Sequence, residues 1–113
     1  MNISYQGIGQ ETLTMRCNSQ LAEGMLCYPA LEDILAYCVA DDEFFGVVQK
    51  VRNGLATVVY RGFVTVPYSG TAPSVGWTAL TAHDQNSVKA SADGVCHWVT
   101  TVDELAKTVT FLL

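Results

Sequence analysis

The stretch Phe44-Phe45-Gly46-Val47-Val48-Gln49-Lys50-Val51-Arg52-Asn53-Gly54-Leu55-Ala56-Thr57-Val58-Val59-Tyr60-Arg61 decides the fold. At its centre Asn53-Gly54 separates two apolar runs. This dipeptide suits a two-residue type I′ turn, because both central positions need positive φ, which Asn and Gly adopt at little cost. Beyond the turn, Ala56, Val58 and Tyr60 fall on one face, and Leu55, Thr57, Val59 and Arg61 on the other. A hydrophobic period of two marks a half-buried strand. The segment therefore predicts a β-hairpin of 44–51 and 55–61.

The same pattern extends outward in both directions. Gly62 predicts a bulge or bend before a strand over Phe63–Val66. Tyr68–Ser74, rich in Gly, Pro and small polar residues, predicts a loop. Asp93-Gly94 predicts a second tight turn, joining Ser87–Ala90 to the 95–102 run. Asp103–Ala106 then leads into a terminal strand in which Val109, Phe111 and Leu113 alternate with threonines. Upstream, Thr12–Cys17, Met25–Tyr28 (ended by Pro29) and Ile34–Val39 read as strands, with one helical turn over Leu31–Tyr37 as the alternative. Eight to ten short strands spaced about every ten residues predict an all-β fold, a compact small β-barrel or sandwich. Residues 1–10 are polar, carry glycines at 7 and 9 and do not alternate. They predict an extended N-terminal arm on a single β domain spanning 11–113.

Composition narrows the function classes. Of the 113 residues, 50% are hydrophobic and 15% charged, which excludes a disordered chain. Size scaling predicts burial of about two-thirds of the extended surface, enough for one core and not two. Six basic residues against eleven acidic ones leave a net charge of −5. The six cations are scattered along the sequence, so a direct nucleic-acid binder is not expected. No apolar run approaches the roughly 20 residues of a membrane helix, and no membrane partner is expected. The first residues lack the basic and apolar regions of a secretory signal. Without a secretory context, Cys17, Cys27, Cys38 and Cys96 read first as buried free thiols, ahead of a disulfide or a metal site.

Other candidate chemistry reduces to structure. Glu32-Asp33 and Asp41-Asp42-Glu43 lack the spacing of a calcium loop and read as solvated edges. His83-Asp84 sits in a polar turn without a nucleophile motif, and Cys96 and His97 point to opposite faces of a strand. Gly7-Ile8-Gly9 lacks the context of a phosphate loop. Phe44, Phe45, Tyr60, Phe63, Tyr68, Trp77 and Trp98 lack the positive channel that accompanies single-strand stacking platforms. They read as core and interface. No catalytic residue, metal or cofactor is expected. The apolar content exceeds what one small barrel needs, so Phe63, Tyr68 and Trp77 are expected at subunit contacts.

Two stretches carry a family resemblance: Phe44–Tyr68, and Gly70–Trp77 followed by Val88-Lys89 and Phe111-Leu112-Leu113. Their layout resembles the capsid decoration (cement) proteins of tailed bacteriophages and prophages. There, an F-G-V-V strand, an R-G strand exit, a V-G loop and a short C-terminal strand form a compact barrel-like domain. The four cysteines and the acidic 30–43 segment have no counterpart in that pattern. The resemblance implies a non-enzymatic virion protein, made in the bacterial cytoplasm and bound to the outer capsid surface. It implies a homotrimer that holds neighbouring subunits of the major capsid protein together. The arm, with Ile3, Tyr5 and Ile8, would then order on the capsid, for instance by adding a strand to a sheet edge. The competing readings are a head-fibre base, head–tail connector or tail component, and a small SH3- or OB-like binding module.

Overall fold

The computed structural model describes residues 9–18, 20–31 and 34–113. Among the described residues there are ten strands and no helix: β1 (Glu11–Cys17), β2 (Leu26–Leu31), β3 (Ile34–Tyr37), β4 (Gly46–Arg52), β5 (Leu55–Arg61), β6 (Phe63–Pro67), β7 (Gly76–Ala82), β8 (Val88–Ala90), β9 (Val95–Asp103) and β10 (Thr108–Leu112). The first five close into a barrel in the order β1-β3-β2-β4-β5, and β5 returns to pair with β1. The last five form a sheet in the order β6-β10-β9-β7-β8. The all-β architecture is thus both a barrel and a sheet packed on it.

The deciding hairpin forms as the sequence predicts. Asn53 (φ 52) and Gly54 (φ 77) occupy the turn between β4 and β5. The chain leaves the barrel through Gly62 (φ 105), the expected bend. Leu113 N–H donates to Gly62 C=O at 2.9 Å and ties the end of β10 to this corner.

Strand alternation explains why two layers form. On the barrel wall, adjacent residues point to opposite sides. Cys27, Val48 and Val58 face the barrel interior with Leu21, Leu35 and Ala56. Their neighbours Leu26, Val47 and Val59 face outward, against Val64, Val66, Leu80, Val99, Val109 and Phe111 of the second sheet. The expectation of one core is corrected: β2, β4 and β5 separate two packed clusters and supply side chains to both.

Two local expectations are also corrected. Pro29 does not end β2. It lies within the strand, paired with Leu35 beside an irregularity that reaches Leu31. Such a register break is where a sheet tolerates a residue without an N–H. Asp93-Gly94 does not join two paired strands, because β8 and β9 lie on opposite sides of β7. Nor does Gly94 need positive φ; a Cβ there would stand 2.5 Å from Leu80 O, so close backbone approach selects glycine. Residues 76–82, which the sequence reading assigns to no element, form β7, the strand linking β8 to β9.

Candidate functional site

The second sheet buries one face on the barrel and exposes the other. On β7, β9, β10 and β6, the inward positions include Leu80, Val99, Val109, Phe111, Val64 and Val66. The outward positions align across four strands. Trp77 is opposite Trp98, Trp98 is opposite Leu112, and Leu112 is opposite Phe63. A register irregularity at Thr110/Phe111 opposite Val99–Thr101 brings Trp98 and Leu112 level.

This row is strongly apolar and open to solvent. Trp77 is 70% exposed, Trp98 41% and Leu112 38%, while Phe63 is half-buried. The two indoles meet edge-to-face, with centroids 5.3 Å apart and ring planes at 75°. That geometry suits the aromatic quadrupole and fixes both rings. Next to the stripe, Thr65 and Thr110 share a hydroxyl hydrogen bond of 2.8 Å on the same outer face. At the Phe63 end the stripe opens into a groove of about 530 Å³ lined by Glu11, Tyr60, Arg61, Phe63 and Leu112 among others. The Tyr60 hydroxyl donates to Glu11 there at 3.2 Å, and Gln10 Nε2 donates to Phe63 C=O at 2.8 Å.

The structure brings Phe63 and Trp77 onto one row although β9 and β10 lie between them. Tyr68 lies elsewhere: it is 7% exposed and packs in the core cluster. Its N–H donates to Lys107 C=O, and its parallel bridge to Val88 holds it at the opposite end of β6. Ile3, Tyr5 and Ile8 lie outside the described residues, as do Glu32 and Asp33. Sequence reasoning missed Trp98 and Leu112 as members of the stripe. Their signal is the β9–β10 hairpin: once the 103–107 turn is placed, pairing sets Leu112 opposite Trp98.

The remaining candidates have structural roles. Asp84 accepts hydrogen bonds from the Asn86 and Ser87 N–H groups and from Ser87 Oγ, at 2.8–2.9 Å. The Asn86 bond foremost, with those from Ser87, holds its carboxyl below the usual range. The His97 ring stacks on Phe44 at 5.2 Å and leans on Phe111, and its Nδ1 lies 3.0 Å from Leu112 C=O. Burial lowers its pKa, opposed by that carbonyl and by Glu43. All four thiols are free; Cys27 and Cys38 are buried, Cys17 is half-buried, and Cys96 is exposed, which corrects the expectation for that residue. Burial raises the Cys27 and Cys38 pKa values to about 12. Among the described residues, no three metal-ligating side chains converge, and no helix is long and apolar enough to cross a membrane.

Comparison with family models, curated proteins and solved structures finds no match to this chain. The surface itself therefore carries the functional argument. A row of two indoles, a leucine and a phenylalanine offers rigid apolar area with few charges, the composition of the centre of a protein–protein contact.

Proposed function

We propose that this chain is a structural virion protein: a capsid decoration protein that binds the outside of a mature phage head and stabilises its subunit contacts. The observation that supports this reading is the in-register stripe Trp77–Trp98–Leu112–Phe63. A contiguous apolar row on an outer face marks a surface made to be covered. In this reading the stripe is buried between copies in a homotrimer, and the protein acts by binding rather than turnover. A decoration protein selects the assembled shell because its contacts span subunits that only assembly brings together. Such binding stabilises the shell by mass action, and many copies add up.

The test mixes purified protein with undecorated mature heads. Saturable, stoichiometric binding is expected, with resistance of the heads to heat or chelation increasing in step. No binding at micromolar protein overturns the proposal.

A further inference from the structure

Folding gathers cations that the sequence scatters. On the outer face of the barrel, β1, β5 and β4 set two rows in register. Thr14 is opposite Thr57, which is opposite Lys50; Arg16 is opposite Leu55, which is opposite Arg52. Three of the six basic residues of a chain with net charge −5 therefore occupy one small face. Lys50 and Arg52 are exposed, and among the described residues no carboxylate pairs with either. By contrast, Lys89 is held by Asp41. A concavity of about 280 Å³ lies among Thr14, Lys50, Arg52, Asn53, Leu55 and Thr57, with no acidic residue in its wall.

We propose that this face docks an extended acidic segment of a partner protein. Lys50 and Arg52 stand two residues apart on the same side of one strand, about 7 Å along it. Alternate carboxylates of an extended partner segment repeat at that spacing. Arg52 can grip a carboxylate with two parallel N–H bonds, while Lys50 supplies a point charge. The Thr14 and Thr57 hydroxyls, 3.5 Å apart, and the Asn53 side chain add neutral donors. Leu55, 45% exposed between Arg16 and Arg52, offers an apolar seat for an aliphatic side chain.

The wall favours a protein segment over a nucleic acid. No aromatic ring lines it for base stacking, and its cations are few for a phosphate track. The face lies on the barrel, whereas the apolar stripe lies on the second sheet, so the two surfaces can be tested separately.

The experiment is a titration of the full chain, followed by backbone amide NMR, with decaglutamate, decaglutamine and an oligothymidylate of equal length. Decaglutamate is expected to shift the amides of Lys50–Thr57 saturably, with affinity falling at high salt. The double variant Lys50→Glu, Arg52→Glu should lose that affinity at least about tenfold while keeping the rest of its spectrum, since both side chains are exposed. Equal shifts with decaglutamine, larger shifts with the oligonucleotide, or unchanged binding by the double variant overturn the proposal. Shifts of the same amides on raising protein concentration alone assign the face to a second copy and also overturn it.

Discussion

His97 couples the two layers through one ring. It belongs to β9, yet it stacks on Phe44 from the barrel side and meets Phe111 of β10 at a tilt. Its folded pKa lies below that of the unfolded chain, about 6.5. As pH falls, the unfolded state takes up its proton first, so the stabilisation present above about pH 6.5 is lost until the folded pKa is reached. Urea melts between neutral and mildly acidic pH should show this slope, and His97→Phe should flatten it. The Asp84 pKa is lowered as well, so its stabilisation is also lost as pH falls, but in a lower window, below the usual carboxylate pKa, and the two contributions separate. At the turn, Gly54→Val should destabilise the protein by more than about 1 kcal/mol, because a β-branched residue resists the φ of 77° found there. A melting temperature equal to that of the wild type would contradict it. Thiol labelling should find Cys96 first and leave Cys27 and Cys38 protected until unfolding. The Asn53-Gly54 turn was legible because its dihedral requirement is local. The exposure of Cys96 and the burial of Tyr68 were not, because each depends on which strands lie on either side.

At the scale of elements, alternation within a strand gives the faces but not the neighbours. Alternation puts Cys96 and Trp98 on one side of β9 and His97 and Val99 on the other, but does not say which side faces outward. That Trp98 stands between Trp77 and Leu112 requires the order β10-β9-β7, which no local signal carries. The same limit explains the misplaced second hairpin. Asp93-Gly94 has turn composition, but the segment crosses past β7, and Gly94 is selected by the approach of the Leu80 backbone. Gly94→Ala should therefore be strongly destabilising in thermal melts although no positive φ is at stake. On the stripe, Trp77→Ser with Trp98→Ser should reduce the light-scattering mass of the proposed oligomer to one chain of 12.2 kDa. Both rings are substantially exposed, so the melting temperature of the monomer should change little. An oligomer of unchanged mass would remove the stripe from the contact.

The whole molecule unfolds as its cores dictate. The barrel wall of β2, β4 and β5 serves both clusters, so neither layer retains its packing alone. Both tryptophans lie in the second sheet and Cys27 lies inside the barrel, which gives each layer its own reporter. Tryptophan fluorescence and Cys27 labelling should share one denaturant midpoint; two midpoints would show that the layers unfold separately. The division into barrel and sheet was hidden in the sequence because Val58 and Val59 are neighbours that serve different clusters. A one-core estimate cannot register a wall that is apolar on both sides.

The strand order also sets a timetable for synthesis. The five barrel strands are contiguous in the chain, from Glu11 to Arg61, and leave the ribosome before any strand of the second sheet. β10 is the last of the ten to emerge, yet it lies between β6 and β9. Until Thr108–Leu112 appear, β6 has no partner in its sheet, and the outward wall of the barrel, with Leu26 and Val59, has only part of its cover. The nascent protein thus passes through a state in which all five barrel strands have been made while one side of their wall is still bare. Chaperone contact and misassembly would concentrate at that stage.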